Sequence, residues 1–336
     1  MRTNRNTVKK KKIKLRIKIL LTIGIILAAG IAYEQMGRLL DSRKYPPPGK
    51  LIEVNGADLH IWSEGEGETT VVFGVGYQMP TGYVDFYPLY HEISKYARVA
   101  VYDRPGYGWS EVTDSTRDID TITEEIHELL LKSGEKPPYI YVAHSIASLE
   151  AIHFAQRYGD EVKGVVLIDG SSPDMYTGFD QLPSTTFAYK RTLLSKKALS
   201  FANNIGALRL LLNTFYPYSA CILSTGRNDM QTAPDDLKNI DQSLIKTFNN
   251  KNQIAERDWK EDNAFKVLDE GYLGDIPLVI VTSEYLNSYE DSKKLQSELL
   301  SWSTDSKQIV VEGAGHAAHW YEPKLINDEI INILKQ

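Results

Sequence analysis

From Leu51 to the C-terminus, apolar positions alternate between two periodicities: short strand-like blocks, and longer stretches with the three-to-four-residue spacing of a helix. The strand-like blocks lie at 51–54, 59–63, 70–75, 99–103, 139–144, 165–169, 278–283 and 308–312. The helix-like stretches lie at 84–96, 119–131, 146–158, 291–302 and 323–334. This alternation predicts an α/β fold, an eight-stranded and mostly parallel sheet with helices on both faces. Val165-Val166-Leu167-Ile168 and Leu278-Val279-Ile280-Val281 are unbroken apolar runs, as strands covered on both faces require. Asn55-Gly56, between the first two blocks, predicts a tight hairpin, so the sheet opens with an antiparallel pair.

The alternation stops between Ser171 and Asp275, a stretch too long for a loop. Within it Leu194, Ala198, Phe201, Ile205, Leu208, Leu212 and Phe215 recur at helical spacing, predicting an amphipathic helix or helix pair weakened at Gly206. Residues 171–275 therefore read as a helical cap inserted into a core of 51–170 and 276–336. Such a cap serves either as a lid or as a packing layer. Its aromatics, Phe187, Phe201, Phe215 and Trp259, suit an apolar substrate group or a core equally well.

A different pattern precedes the sheet. Lys9-Lys10-Lys11-Lys12, Lys14, Arg16 and Lys18 lead into an uncharged apolar run from Ile19 to Tyr33. That run would rise only about 22 Å as a helix, against a hydrocarbon core of about 30 Å. Starting at Leu15, with Arg16 and Lys18 snorkelling to the headgroups, extends it to about 28 Å. The N-terminus thus reads as a basic cytoplasmic segment (1–18), a transmembrane helix or signal sequence (19–36) and a Pro-rich linker (37–50). Two fates stay open. An uncleaved anchor, with membrane contact through residues 15–36, leaves the N-terminus inside and the body outside. Cleavage after the small residues of Gly30-Ile31-Ala32 secretes the body. A buried core helix leaves the basic residues before Ile19 without a purpose.

Charge sharpens this division. Over 336 residues, 38 basic and 44 acidic side chains give a net charge of −6. Residues 45–336 alone hold 26 basic against 42 acidic, a net of −16. So acidic a body repels polyanions, and nucleic acid is not an expected partner. The lone cysteine, Cys221, rules out an intrachain disulfide and any thiolate cluster for a metal; no cofactor is expected. A body without cysteine pairs outside the cytoplasm suits a bacterial surface.

One junction stands out for its chemistry. Tyr139-Ile140-Tyr141-Val142-Ala143-His144 reads as a buried strand running directly into a helix, with Ser145 at the join and small Ala143 and Ala147 two residues to either side. A serine on so tight a turn presents its hydroxyl, with the first free N–H groups of the helix beneath it. The competing role for Ser145 is a helix cap. A serine nucleophile needs a histidine to take its proton. His316, in Gly313-Ala314-Gly315-His316 after the last strand, stands where ligands bind in open α/β sheets. His319 is the second candidate base, and His144 beside Ser145 reads as structural.

Taken together, these motifs resemble the α/β-hydrolase fold family over essentially all of residues 50–336. Asp103-Arg104-Pro105-Gly106-Tyr107-Gly108-Trp109-Ser110 looks like the family's D-x-x-G-x-G-x-S turn. Ala143-His144-Ser145-Ile146-Ala147 looks like its nucleophile elbow, and the Gly315-His316 turn like its histidine loop. The resemblance implies a serine hydrolase with a Ser-His-acid triad, acting on a small-molecule ester or, alternatively, on an amide as aminopeptidase-type relatives do. It places the oxyanion donors at the backbone N–H groups of Ile146 and Tyr77, the latter in Val75-Gly76-Tyr77-Gln78, where relatives carry His-Gly-x. The acid departs from the pattern, because Thr282-Ser283-Glu284-Tyr285-Leu286-Asn287 has no aspartate. Asp169, at the end of the sixth strand, is the first candidate, Glu284 the alternative, with Glu290 and Asp291 behind. Serine as nucleophile argues against the dehalogenase and epoxide-hydrolase chemistry that relatives perform with aspartate. A non-catalytic hydrolase-like binding protein remains the reading from a different class.

Overall fold

The computed structural model describes residues 2–177, 198, 200–214, 233–245 and 250–336. Two units divide the chain, Met1–Pro46 with Phe187–Pro217, and Pro47–Thr186 with Tyr218–Gln336.

The first unit is built on helix α1 (Arg2–Lys44). It runs past the expected 19–36, so residues 37–44 are its last turns rather than linker, and it stops where Pro46-Pro47-Pro48 remove the amide donors that a helix needs. Its segment Lys12–Lys44, about 50 Å at 1.5 Å per residue, is long and apolar enough to cross a membrane. The expected amphipathic stretch turns at Ile205 and Gly206, where Gly206 has φ +70°, and leads into a helix at Ala207–Thr214. Leu194 and Phe215 lie outside the described residues, as do Phe187 and Cys221. This stretch packs on α1. A Cβ on Gly30 would lie 2.3 Å from the Ile205 carbonyl oxygen. Buried Glu34 accepts from Arg38 Nε at 2.7 Å and from Arg209 Nε at 2.9 Å, and Arg209 Nη1 reaches Asp41 at 2.5 Å.

The second unit holds the sheet: β1 (Lys50–Val54), β2 (Ala57–Glu64), β3 (Thr70–Gly74), β4 (Arg98–Tyr102), β5 (Tyr139–His144), β6 (Val162–Ile168), β7 (Leu278–Ser283) and β8 (Ser306–Val311). Their order is β1-β2-β4-β3-β5-β6-β7-β8. Antiparallel pairing is confined to β1 with β2 and β2 with β4; β3 to β8 are parallel. The first pair turns at Asn55 (φ +49°) and Gly56 (φ +77°), the positive dihedrals that a two-residue hairpin needs. The apolar runs of β6 and β7 are buried throughout, which accounts for their lack of alternation.

The expected helix at 84–96 is two helices, Gly82–Asp85 and Tyr87–Ile93, because Pro88 in the second one's first turn has no N–H to continue the first. The remaining helices of the sheet faces run Ile119–Ser133, Ala147–Arg157, Glu290–Glu298 and Pro323–Leu334. Between β6 and β7 the described residues include helices at Asp174–Thr177, Ala207–Thr214, Asp235–Ile245 and Lys251–Glu270, with further helical residues at 200–204 and no strand among those described.

Register sets the site. Gly74 pairs with Ala143, His144 with Ile168, and Ile168 with Val281, so the C-terminal ends of β3, β5, β6 and β7 come level. The residues that follow each strand emerge along one edge, where ligands bind in open parallel sheets.

Candidate active site

Ser145 leaves β5 with φ +57°, a strained conformation for a side chain with a Cβ. The strain is held from both sides: its N–H donates to Ile168 O at 3.1 Å, and its carbonyl accepts from Ser171 N at 3.0 Å. Ala143 and Ala147 are fully buried, and a Cβ on Gly74 would already lie 3.4 Å from Ala147 Cβ and 3.0 Å from Tyr102 OH, so the small residues flanking the serine sit in packed surroundings. Helix capping does not occupy the hydroxyl. The N-cap of the following helix is Ile146, and Ser145 Oγ instead lies 3.1 Å from His316 Nε2.

The other imidazole nitrogen, His316 Nδ1, is 3.1 Å from Asp169 Oδ2. Asp169 sits just past β6 with φ +45°, and its N–H bonds Val281 O at 2.7 Å. Its buried carboxylate also accepts from Ser283 N at 2.6 Å and Ser283 Oγ at 2.5 Å. Glu284 faces elsewhere: its Oε2 accepts from Gly313 N at 2.6 Å and so braces the loop that carries His316. Glu290 and Asp291 open an exposed helix. The structure thus brings together Ser145, His316 and Asp169, with Ile146 adjoining the serine. The loop bearing Tyr77 lies beside them, since a Cβ on Gly76 would be 3.2 Å from Ser145 Cβ. Burial pushes the Tyr77 phenol up to about 12, against a smaller opposing effect of Arg257, so it stays a neutral hydroxyl.

The remaining histidines divide by surroundings. His144 donates from Nε2 to the His316 carbonyl at 3.0 Å, which pins the histidine loop to the elbow. Burial, reinforced by His316 and His319, holds His144 well below the usual histidine range, so it stays neutral. His319 is buried, 3.4 Å from Asp85 Oδ2, and makes no described contact with Ser145. His60, buried, bonds Asp103 Oδ2 at 2.7 Å. Asp103 also accepts from Thr81 Oγ1 and Gly82 N, and a Cβ on Gly108 would lie 1.9 Å from its Oδ2. The D-x-x-G-x-G-x-S turn is therefore a packed knot that requires glycine at 108. Asp85, His144 and His319, all buried, offer metal-type ligand atoms within 4.8 Å of one another, as do Asp120, His153 and Glu270; neither set includes Ser145, His316 or Asp169.

Residues 77–323 match the family model described as alpha/beta hydrolase fold. The chain belongs to the α/β-hydrolase fold family. Among curated proteins it is 40% identical over 131 residues to the uncharacterized protein YbdG of Bacillus subtilis, covering 39% of this chain and 40% of that one. It is 34% identical over 118 residues to a pimeloyl-[acyl-carrier protein] methyl ester esterase of Shewanella woodyi, covering 35% of this chain and 41% of that one. These matches span about two fifths of each relative's length. Among solved structures, a Bacillus megaterium epoxide hydrolase aligns with TM-score 0.61 and 18% identity, over 85% of this chain and 100% of that one. An esterase of Thermogutta terrifontis aligns with TM-score 0.58 and 16% identity, over 85% and 96%. At those identities the likeness is one of fold.

Two features of the site escape sequence reasoning. The His144 to His316 carbonyl bond joins residues 172 positions apart. Arg104, within a motif that reads as a turn, is buried and ion-paired beneath the loop bearing Tyr77. A charged residue in an otherwise small and aromatic turn is the one signal that could have marked it.

Proposed function

We propose that the chain is a serine hydrolase that cleaves a small-molecule ester through an acyl-enzyme on Ser145. The observation that carries this reading is the continuous path from Ser145 Oγ through His316 to Asp169, with both links at 3.1 Å. His316 Nε2 takes the hydroxyl proton as Oγ attacks the ester carbonyl, and the N–H groups of Ile146 and Tyr77 receive the oxyanion. Collapse expels the alcohol, which takes the proton back from His316. Water, deprotonated by the same nitrogen, then releases the acid and restores Ser145. Asp169 holds the Nδ1–H tautomer and stabilises the imidazolium. The methyl ester esterase among the curated relatives favours ester over amide, and serine at the nucleophile position argues against epoxide opening by a covalent aspartate.

The basic start and apolar α1 support an uncleaved membrane anchor with the hydrolase unit outside the cytoplasm. Within the second unit, the described helices of residues 171–275, at Asp174–Thr177, Asp235–Ile245 and Lys251–Glu270, act in this reading as a cap on a core of 51–170 and 276–336. The test is hydrolysis of 4-nitrophenyl acetate and butyrate by the purified full-length protein in detergent. Turnover that is lost in Ser145→Ala supports the proposal; equal turnover in the variant rejects it.

A further inference from the structure

Arg104 follows β4 and is 2% exposed, yet it carries a full charge into the interior. Its guanidinium has four partners. Nη1 donates to Val75 O at 2.6 Å and to Glu150 Oε1 at 2.7 Å; Nη2 lies 3.4 Å from Gly76 O and forms an ion pair, without a hydrogen bond, with Glu256 Oε1 at 3.0 Å. The ring of Tyr107 stacks below it at 4.5 Å. Glu150 belongs to the helix that begins at the elbow, Ala147–Arg157, and its second oxygen accepts from Tyr102 OH at 2.7 Å. Glu256 belongs to Lys251–Glu270, a helix of the segment inserted between β6 and β7.

The two carbonyls that Arg104 grips belong to the loop expected to supply one oxyanion donor. In a planar trans peptide the C=O and the following N–H point in opposite directions. Gly76 O, 3.4 Å from Nη2 and also accepting from Met79 N at 3.5 Å, is turned toward the guanidinium, which orients Tyr77 N–H the opposite way; Val75 O, held at 2.6 Å, does the same for Gly76 N–H. The loop has no other charged donor described on these carbonyls. A bidentate cation suits the task because its planar fork meets two adjacent acceptors in a fixed geometry, which a lysine does not reproduce.

We propose that Arg104 is a positioning residue for the Tyr77 oxyanion donor, and that Glu256 makes this positioning depend on the docking of the inserted helix Lys251–Glu270. The inference rests on the serine-hydrolase reading above. Two carboxylates flank one guanidinium, so Arg104 is held from the elbow helix by Glu150 and from the inserted helix by Glu256. Loss of Glu256 leaves Nη1 held by Val75 O and Glu150 but removes the charged partner of Nη2, whose one remaining described contact is Gly76 O at 3.4 Å, so that arm is free to swing off Gly76.

The experiment compares full-length wild type with Arg104→Lys, Arg104→Gln and Glu256→Gln. It measures kcat and KM on 4-nitrophenyl butyrate, affinity for phenylboronic acid, whose tetrahedral serine adduct places an oxygen in the oxyanion site, and amide hydrogen exchange over residues 75–78. Arg104→Gln strands two buried carboxylates and can fail to fold. Glu256→Gln preserves shape and the Glu150 pair, so it decides the matter alone if necessary. The expected result for Glu256→Gln is a kcat lower by about 10–100-fold, a parallel loss of boronate affinity, an unchanged KM and faster exchange at 75–78. Arg104→Gln, if folded, should lose about 10²–10³-fold in kcat, as for removal of one oxyanion donor, with Arg104→Lys between it and wild type. Unchanged exchange at 75–78 in folded Glu256→Gln and Arg104→Lys overturns the proposal, whatever the activity. So does faster exchange with unaltered kcat and boronate affinity. A wild type lacking any Ser145-dependent hydrolysis overturns the hydrolase reading and this inference together, and is told apart because it appears before any variant is made.

Discussion

His316 Nδ1 lies 3.1 Å from Asp169 Oδ2, and the same carboxylate is held by the N–H and hydroxyl of Ser283. Asp169 directly follows β6 and Ser283 closes β7, so two neighbouring strand ends cooperate to aim one carboxylate at the imidazole. Glu284, one residue beyond Ser283, is committed instead to Gly313 N. Asp169→Asn should therefore lower kcat by about 10⁴-fold, because an amide in this place favours the wrong imidazole tautomer. Glu284→Gln should leave kcat within the same order of magnitude. Steady-state kinetics on an aryl ester checks both, and the reverse ranking would reassign the acid.

Gly76 tests the proximity of the loop proposed to supply an oxyanion donor. A Cβ there would meet His144 Nδ1 at 2.9 Å and Ser145 Cβ at 3.2 Å, so the loop must move outward to admit it. Gly76→Ala should cost about 10²-fold in kcat with a smaller effect on melting temperature. Comparing rate and thermal stability of the variant separates a displaced donor from a damaged fold.

His144 gives the stability a direction in pH. Its folded pKa lies well below its unfolded value of about 6.5. Below that pH the unfolded chain binds a proton that the folded chain refuses, so the contribution is present above about 6.5 and is lost as pH falls, at about 1.4 kcal/mol per unit. His144→Gln should flatten this loss. Urea midpoints measured from about pH 7 down to about pH 5 check it, and parallel profiles for the two proteins would reject it.

The N-terminal helix makes a separate prediction. Cells expressing the full chain should retain it in membranes after an alkaline wash and release it with detergent, and the mature protein should still begin near Met1. Protein that starts near Tyr33, or that washes free, would instead mean a signal sequence and a secreted enzyme.

What the sequence makes legible is what local patterning controls. Asn55-Gly56 announces its hairpin through two positive dihedrals, and the apolar runs of β6 and β7 announce burial on both faces. The same patterning does not see Phe86, where the expected single helix breaks in two, because Pro88 is acceptable in a first turn and only forbidden later. Asp169 and Glu284 stay undecided in sequence because each follows one of two adjacent strands, and only pairing shows which faces the imidazole. Glu34 with Arg209, and Arg104 with Glu256, are buried ion pairs between distant segments. Each charged residue looks solvated until its partner is known.

The most direct test of the site is covalent labelling of the folded full-length protein in detergent with a fluorophosphonate probe, followed by peptide mass spectrometry. The predicted result is a single adduct on Ser145, absent in Ser145→Ala and slowed in His316→Ala. Folded protein that forms no adduct at Ser145, or one that labels equally well without His316, would contradict a nucleophile activated by this histidine.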